Sequence, residues 1–130
     1  MTDADLSCPC GSGRCYRECC QPLHLGDQVA ISAEQLMRSR YCAFVLKDSE
    51  YLHNSWHVQT RPETMTFEDD LQWQGLKILR SKKGRSKDQE GWVTFKAFFV
   101  QNGTEGVLHE KSYFVRNEQG HWVYVDGKLF

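Results

Sequence analysis

Cysteines are the residues of this sequence whose type and spacing can do chemistry. Five of the six cysteines fall within residues 8–20, and the sixth, Cys42, stands alone. The cluster has the spacing C-x-C-x8-C-C, so two close pairs of thiolates can converge on one ion. Four thiolates favour tetrahedral Zn²⁺, with iron as the alternative, and a closed shell of four sulfurs leaves no position for a catalytic water. The spacing therefore predicts a structural metal site.

The stretch CPCGSGRCYRECC, over residues 8–20, closely resembles the SEC-C motif, named after the metal-binding C-terminus of the SecA translocation ATPase. That motif reads CPCGSG, a short spacer, an aromatic residue and a final CC or CH. Cys15 stands where the motif commonly has lysine. A fifth thiol so near the first pair can replace a ligand or oxidise to a disulfide with one, so redox-active or disulfide-linked cysteines are the alternative to metal binding. The ligands that the resemblance implies are Cys8, Cys10, Cys19 and Cys20.

Two further segments extend the resemblance to nearly the whole chain. They are MRSRYCAFVLKDSEYLHNSWH at residues 37–57 and EKSYFVRNEQGHWVYVDG at residues 110–127. With the N-terminal motif they look like the uncharacterised bacterial YchJ family. This resemblance implies a nuclear-transport-factor-two-like, or cystatin-like, cone in which helices pack on a strongly curved antiparallel sheet.

The middle of the chain has the residue pattern of two helices. An S-x-x-Q capping box at residues 32–35 precedes apolar residues spaced along one face, which predicts a helix over about 33–46. Asp48 is the expected N-cap of a second, shorter helix that ends before Pro62. Residues 60–71 are acidic and fit either a short third helix or a loop.

From Gln72 onward apolar and polar residues alternate, which is typical of strands. Asn102-Gly103 is the strongest hairpin signal, and a two-residue turn there places Gln101 opposite Thr104. The predicted fold is therefore α+β, with helices packed on an antiparallel sheet and a small metal knuckle before them, and the resemblance implies that the sheet is curved. The pattern predicts four strands in one meander, over residues 72–81, 91–101, 104–116 and 121–125.

The hairpin register assigns the strand residues to two faces. One face is mostly apolar with the carboxylate of Glu110 in its middle, and we expect the helices to cover it. Because a buried carboxylate needs a partner, Arg40 on the first helix is expected to pair with Glu110. The functional interpretation is a general acid or base at Glu110 with His57 as a proton shuttle. The alternatives are a buried ion pair that fixes the helices on the sheet and a ligand pocket without chemistry. The candidate pocket residues are Glu110, Arg40, His57 and Tyr41.

The opposite face carries a mixed set of side chains that we expect to be partly exposed. It is a candidate surface for a homodimer, since related cones pair sheet to sheet. The predicted members of this face are Trp92, Thr94, Lys96, Phe98, Val100, Val107, His109, Lys111 and Tyr113.

Basic residues crowd the first predicted turn between strands, over Lys82–Lys87, with Arg80 just before it. Asp88 is the only acid expected to oppose them. Such a loop can contact the phosphates of RNA or of the ribosome weakly and without sequence specificity. A solvated hairpin tip is the alternative.

Charge and hydropathy exclude several classes of protein. Seventeen acidic and sixteen basic residues leave a net charge of −1, so no chain-wide basic field exists to hold a polyanion. No apolar segment approaches the roughly 20 residues that span a bilayer, so no membrane contact is expected. Residues 1–7, the expected disordered leader, lack the pattern of a secretory signal. We therefore expect a cytoplasmic protein.

The chain is expected to have two parts. They are a metal-binding motif with its connector at residues 1–25 and an α+β domain at residues 26–130.

The closed metal site and the resemblance to SEC-C together favour a function in protein interaction. The expected function is a metal-binding accessory or adaptor protein that contacts another protein, or the translation or secretion machinery, through the exposed knuckle residues Arg14, Arg17 and Glu18. The alternative is a small-molecule-binding protein or an enzyme that uses the cone cavity around Glu110. Of these, enzymatic activity is the less favoured.

Overall fold

The computed structural model describes residues 6–130. One turn of 3₁₀ helix at Tyr16–Glu18 leads into three helices and four strands. The strands form one antiparallel sheet in the order β1-β2-β3-β4, and the helices pack on one side of it, as the α+β prediction requires. Within the described part of the chain, no helix is long and apolar enough to cross a membrane. The elements are α1 (Gln21–His24), α2 (Ala33–Leu46), α3 (Ser49–Asn54), β1 (Leu71–Lys83), β2 (Glu90–Gln101), β3 (Thr104–Arg116) and β4 (Trp122–Leu129).

The first residues of the chain are only partly described. Of the predicted leader, residues 1–5 lie outside the described residues. Ser7 forms an isolated β-bridge with Cys15, and the Leu6 carbonyl accepts a hydrogen bond from the Tyr16 N–H at 2.9 Å. The end of the predicted leader is therefore held against the cysteine cluster.

Both predicted helices are confirmed. Ser32 Oγ accepts a hydrogen bond from the Gln35 N–H at 3.1 Å, which satisfies one of the free donors at the start of α2. This helix ends at Lys47, whose left-handed backbone (φ 58°) stops further helical hydrogen bonding. Asp48 then caps α3 with its side chain. The segment over residues 60–70 is a loop, so the loop alternative for this region is the right one.

The hairpin between β2 and β3 has the predicted register. Asn102 and Gly103 both have left-handed backbones, with φ of 52° and 77°, which a tight two-residue turn requires. Gln101 therefore faces Thr104, and the pairing continues without a shift to the other end of the hairpin.

The inner face of the sheet, which is the face that α2 covers, forms most of the core. Its central residues are no more than 3% exposed, and burying a large apolar side chain stabilises the folded state by about 1.5–3 kcal/mol. Leu36, Met37 and Tyr41 of α2 belong to the same buried cluster. The buried inner-face residues of β2 and β3 are Val93, Phe95, Ala97, Ser112 and Phe114.

Two glycines allow the turn between β1 and β2 to touch the start of α2. The Ala33 N–H donates to the Gly84 carbonyl at 2.9 Å, and a Cβ added to Gly91 would lie 2.4 Å from Gly84 Cα. We expect Gly91→Ala to lower the free energy of unfolding by about 1–3 kcal/mol, because the turn must move away from α2. Urea denaturation measures this. Gly75→Ala is the matched control, since a Cβ there meets open space; equal losses for the two variants would refute the explanation.

Candidate metal centre and cone cavity

The N-terminal segment folds into a compact knuckle, which we define as residues 6–25. The Cys8 N–H donates to the Arg14 carbonyl at 2.8 Å, and the Gly11 N–H donates to the Cys8 carbonyl at 3.1 Å. Gly11 has a φ of 79°, a backbone conformation that residues other than glycine adopt only with strain. These turns fold the first pair of cysteines back toward the junction of the 3₁₀ turn and α1, where the second pair lies.

The structure brings four thiols together. Their sulfur atoms all lie within 4.8 Å of one another, and three of the four residues are buried while Cys19 is half-buried. A tetrahedral zinc ion with Zn–S bonds of about 2.3 Å sets its sulfurs about 3.8 Å apart, so a small contraction would seat one ion. Cys15 is not a member of the group. The cluster can hold a metal ion, and its members are Cys8, Cys10, Cys19 and Cys20.

A fifth sulfur, outside the predicted site, reaches the cluster from α2. Cys42 is fully buried, and its Sγ lies 3.9 Å from Cys8 Sγ. Interactions with the neighbouring thiols of Cys10, Cys20 and Cys42 hold the pKa of Cys8 far below its ordinary value. Burial, by contrast, raises the pKa of Cys19 to about 11. No pattern in the sequence could have indicated Cys42, because its contact with the cluster depends on how α2 docks.

Hydrogen bonds attach the knuckle to α2. Arg38 Nη1 donates to the Cys10 carbonyl at 2.7 Å. His24 Nε2 lies 2.8 Å from the Ser39 carbonyl, which can only accept, so this nitrogen carries the proton. His24 Nδ1 then accepts from the Tyr16 hydroxyl at 2.6 Å. The buried core runs from the knuckle into α2 without interruption, while the division at residues 25 and 26 stays a prediction.

The outer side of the knuckle is polar and open to solvent. Arg14, Arg17 and Glu18 are all exposed, as predicted. The guanidinium of Arg14 donates to the Glu18 carbonyl, which joins the turn after the first cysteine pair to the 3₁₀ turn. The knuckle therefore presents a charged surface to solvent, and hydrogen bonds to α2 hold its backbone in place on the other side.

A second candidate site is a cavity of about 270 Å³ between α2 and the inner face of the sheet. Three of the four predicted pocket residues line it: Arg40, Tyr41 and Glu110. His57 is not among the lining residues, and its Nδ1 accepts from the Gln59 N–H at 3.1 Å. The structure therefore does not support a proton shuttle between His57 and Glu110. The other walls are mainly apolar and aromatic, and include Phe44, Trp56, Trp73, Phe95, Leu108 and Tyr124.

Arg40, which lines this cavity, donates hydrogen bonds to the end of α3 and not to the sheet. Arg40 Nη1 donates to the Leu52 carbonyl at 2.9 Å and to Ser55 Oγ at 2.7 Å. Its guanidinium carbon also lies 4.9 Å and 4.7 Å from the ring centres of Trp56 and Tyr124. Arg40 is only 3% exposed, and burial lowers its pKa to about 10, so it stays charged at neutral pH.

Glu110 has different partners from those predicted. Its Oε2 accepts from Ser112 Oγ at 2.6 Å and from the Tyr124 hydroxyl at 3.3 Å. Among the ion pairs of residues 6–130, none joins Glu110 to Arg40. The expected bidentate pair is therefore wrong, because α3 supplies acceptors for Arg40 and the sheet supplies hydroxyl donors for Glu110.

The buried tyrosines predict a loss of stability at alkaline pH. Burial raises the pKa of Tyr51 to about 12, and burial near Glu110 raises the pKa of Tyr124 further. Since an unfolded tyrosine ionises near pH 10, the folded state binds more protons between about pH 10 and 12, and the free energy of unfolding falls as pH rises. Arg40, with its lowered pKa, acts in the opposite direction in this window, but two tyrosines outweigh one arginine.

Absorbance of tyrosinate, followed together with circular dichroism, checks this prediction. We expect the tyrosinate signal of these two residues to appear with unfolding. Tyr51→Phe should make the decline in stability above pH 10 shallower. A full tyrosinate signal near pH 10 in protein that is still folded would contradict the prediction.

The basic turn differs from the prediction in two ways. Lys82 and Lys83 belong to β1, so the turn itself begins at Gly84. Lys83 Nζ lies 4.0 Å from Glu90 Oε2, so Asp88 is not the only acid that opposes these cations. The turn itself carries Arg85 and Lys87, and the guanidinium of Arg116 donates to its backbone carbonyls.

Comparisons with known proteins find similarity over both parts of the chain. A family model described as the YchJ middle NTF2-like domain matches residues 32–127. The UPF0225 protein of Streptomyces coelicolor is 45% identical over 122 residues, 94% of each chain. A UPF0225 protein of Corynebacterium efficiens is 43% identical over 127 residues, 98% of this chain and 96% of its own.

Two solved structures resemble this one. The solution structure of a SEC-C motif containing protein from Rhodopseudomonas palustris has a TM-score of 0.83 at 33% identity, over 96% of this chain and 99% of that chain. The crystal structure of a SEC-C motif containing protein from Psychrobacter arcticus has a TM-score of 0.76 at 28% identity, over 100% of this chain and 86% of that chain. The similarity therefore includes the knuckle together with the α+β domain.

Proposed function

The chain belongs to the bacterial YchJ family, the UPF0225 proteins, and on that premise we propose that it is a cytoplasmic metal-binding accessory protein. In this proposal the SEC-C knuckle holds a zinc ion and contacts another protein, such as a component of the translation or secretion machinery. The metal gives the contact surface its shape and takes no part in chemistry.

The convergence of four thiols is the observation that carries this proposal. Their sulfurs lie within 4.8 Å of one another and are mostly buried, which suits a closed tetrahedral site. Zinc is the proposed ion because four thiolates suit it and because it is not redox-active, as a structural site requires. Iron is the alternative. A closed site leaves no coordination position for substrate or water, so its role is to hold the backbone of residues 8–20 in one conformation.

The rigidity of the knuckle supports a role in protein contact. Arg38 and His24 attach it to α2 from behind, while Arg14, Arg17 and Glu18 face solvent. A surface that is already ordered loses less conformational entropy on binding, so fewer contacts are needed for a given affinity.

Cross-linked capture from bacterial cytosol tests the proposal. The native protein is compared with a variant that combines Arg14→Glu and Glu18→Arg, which keeps both the metal ligands and the net charge. We expect a partner that the native protein retains and the variant loses. The metal-free Cys19→Ser, Cys20→Ser protein should lose the same partner. If all three proteins capture the same set, or none captures a specific partner, the knuckle is not a contact surface.

The cavity gives a specific reason to consider a second function, the binding of a small molecule. Within residues 6–130, both hydrogen bonds that Arg40 makes start at Nη1, so its Nε and Nη2 can donate to a ligand. Those two nitrogens form the edge of a guanidinium that binds a carboxylate in a bidentate manner. Glu110 lines the same cavity, and since Ser112 and Tyr124 both donate to its Oε2, its Oε1 can accept a hydrogen bond from a donor on the ligand. We therefore propose a small carboxylic acid with an apolar body and an amino or hydroxyl group.

Calorimetry with three related probes tests this second function. Phenylacetate, phenyllactate and phenylalanine share an aromatic body and differ in the group that would face Glu110. We expect the amino acid or the hydroxy acid to bind more tightly than phenylacetate, and Glu110→Gln to remove that difference. Failure of all three probes to bind at millimolar concentration would refute a carboxylate site in the cavity.

A further inference from the structure

The face of the sheet that the helices leave open, which we call the outer face, carries an ordered set of cations and aromatic rings. Residues that are paired directly across neighbouring strands point to the same face. Following the pairing from β1 to β4 therefore gives three rows of side chains on this face. The rows are Lys82, Trp92, Tyr113 and Asp126; Arg80, Thr94, Lys111 and Lys128; and Lys77, Lys96 and His109.

Two irregularities in β1 create this arrangement. Lys77 and Arg80 are three residues apart, and in a regular strand they would point to opposite faces. The shift in register between Trp73 and Gly75 turns Lys77 away from the inner face on which Trp73 lies, and the shift between Ile78 and Arg80 then places Arg80 and Lys82 on the same face as Lys77. Because of the two shifts together, all three of these cations of β1 lie on the outer face.

The outer face is positive although the whole chain has a net charge of −1. It carries six lysine and arginine side chains against three carboxylates, those of Glu90, Glu105 and Asp126. Within residues 6–130, no ion pair includes any of the six cations. Their charges are therefore available to an anion that lies along the sheet.

Aromatic rings lie among these cations. Trp92 stacks on Tyr113 with ring centres 5.2 Å apart, and Lys82 Nζ lies 5.4 Å from the centre of the Trp92 ring. Phe130, which is 70% exposed, stacks on His109 at 4.3 Å. Phe98 is 40% exposed. The face therefore offers flat apolar surfaces between positive charges.

We propose that the outer face binds single-stranded nucleic acid. Unpaired strands combine a chain of phosphates with bases whose flat faces are free, and proteins bind them with basic surfaces that carry aromatic side chains for stacking. Two shallow depressions of about 320 Å³ and 430 Å³ share Trp92 and Lys111, which places a ring and a cation side by side in both.

Charge argues against a second copy of this chain as the occupant. A symmetric sheet-to-sheet dimer would bring the six cations of one copy against those of the other, and like charges opposed across an interface oppose association. The centres of protein interfaces are also depleted in lysine. The polyanion is therefore the occupant that the observations favour, and the dimer is an outcome that the experiment can reveal.

Fluorescence anisotropy with a labelled oligouridylate tests the proposal on the full, metal-loaded chain. The test variant combines Lys96→Glu and Lys111→Glu on the outer face. The matched control combines Arg85→Glu and Lys87→Glu in the turn after β1, which makes the same change of charge at exposed positions. We expect the outer-face variant to lose at least tenfold in affinity and the turn variant to lose less than threefold.

The dependence on salt gives a second readout. Each lost phosphate contact should reduce the slope of log affinity against log salt by about 0.7 for a single strand. Phe130→Ala, which leaves the charge unchanged, should weaken binding about fivefold or more if its ring stacks on a base. Should the glutamate variant fail to fold, Lys96→Gln combined with Lys111→Gln answers the same question. We expect this variant to change the slope of log affinity against log salt about half as much as the glutamate variant does.

Several results would overturn the proposal. They are the absence of binding at low salt, equal losses for the outer-face and turn variants, and equally tight binding of a duplex of the same length. A native protein that sediments as a dimer and becomes a monomer on Lys96→Glu, Lys111→Glu would assign the face to self-association instead. Oligodeoxythymidylate, used as a parallel probe, shows whether RNA or DNA is the tighter ligand; tight binding of either supports the proposal.

Discussion

Replacing Cys19 and Cys20 together by serine should abolish metal binding and lower the melting temperature by about 10 °C or more. The four thiols converge only in the folded chain, so the free energy of metal binding contributes directly to folding. Three of the cluster cysteines also belong to the buried core that continues into α2. Loss of the ion should therefore destabilise the α+β domain as well as the knuckle.

Metal content by mass spectrometry and thermal unfolding by circular dichroism measure this effect. Cys15→Ser is the matched control, because Cys15 lies outside the group of four. It should keep one equivalent of metal and nearly the native melting temperature. Cys42→Ser asks whether the sulfur from α2 can act as a ligand, and we expect it to keep the metal. A double variant that still binds a full equivalent would show that the ligand set is wrong.

Arg40→Met should lower the free energy of unfolding by about 3 kcal/mol. Methionine fills a similar volume but leaves the Leu52 carbonyl and Ser55 Oγ without their donor. It also removes the cation that lies between the rings of Trp56 and Tyr124. These partners are buried or half-buried, so water replaces the lost hydrogen bonds poorly.

Urea denaturation of Arg40→Met and of Arg80→Met compares the same substitution in two environments. Arg80 is exposed on the outer face, where the change should alter stability by less than about 0.5 kcal/mol. If Arg40→Met is as stable as the native protein, Arg40 has no structural role. Its burial beside the cavity would then require a ligand as its explanation.

Much of the local structure follows from residues that are close in sequence. The cap of α2 at Ser32 and the left-handed turn at Asn102-Gly103 need only the side chains within three or four positions. Once the turn is placed at Asn102-Gly103, the pairing of β2 with β3 is set along its whole length, which is why the inner face could be assigned correctly. The length of β4 could not be predicted, since its last residues alternate poorly and gain order only by pairing with β3.

The candidate sites likewise have one part that the sequence indicates and another that it does not. The spacing of the cysteines within residues 8–20 indicates two close pairs that can converge, and the resemblance to SEC-C separates these four thiols from Cys15. The partners of Arg40 and Glu110 could not be predicted, because both were assigned from a one-dimensional pattern that does not include the position of α3.

Sequence alone thus accounts for the α+β class, the helix caps, the hairpin register and the thiol cluster, since each depends on local conformation or on strict alternation. Three features arise only from packing over long distances along the chain. Cys42 reaches the cluster because α2 docks on the knuckle, and Arg40 bonds to α3 because that helix folds back over it. The three cations of β1 share the outer face because two irregularities, after Trp73 and after Ile78, change the alternation along the strand, and both depend on pairing with β2.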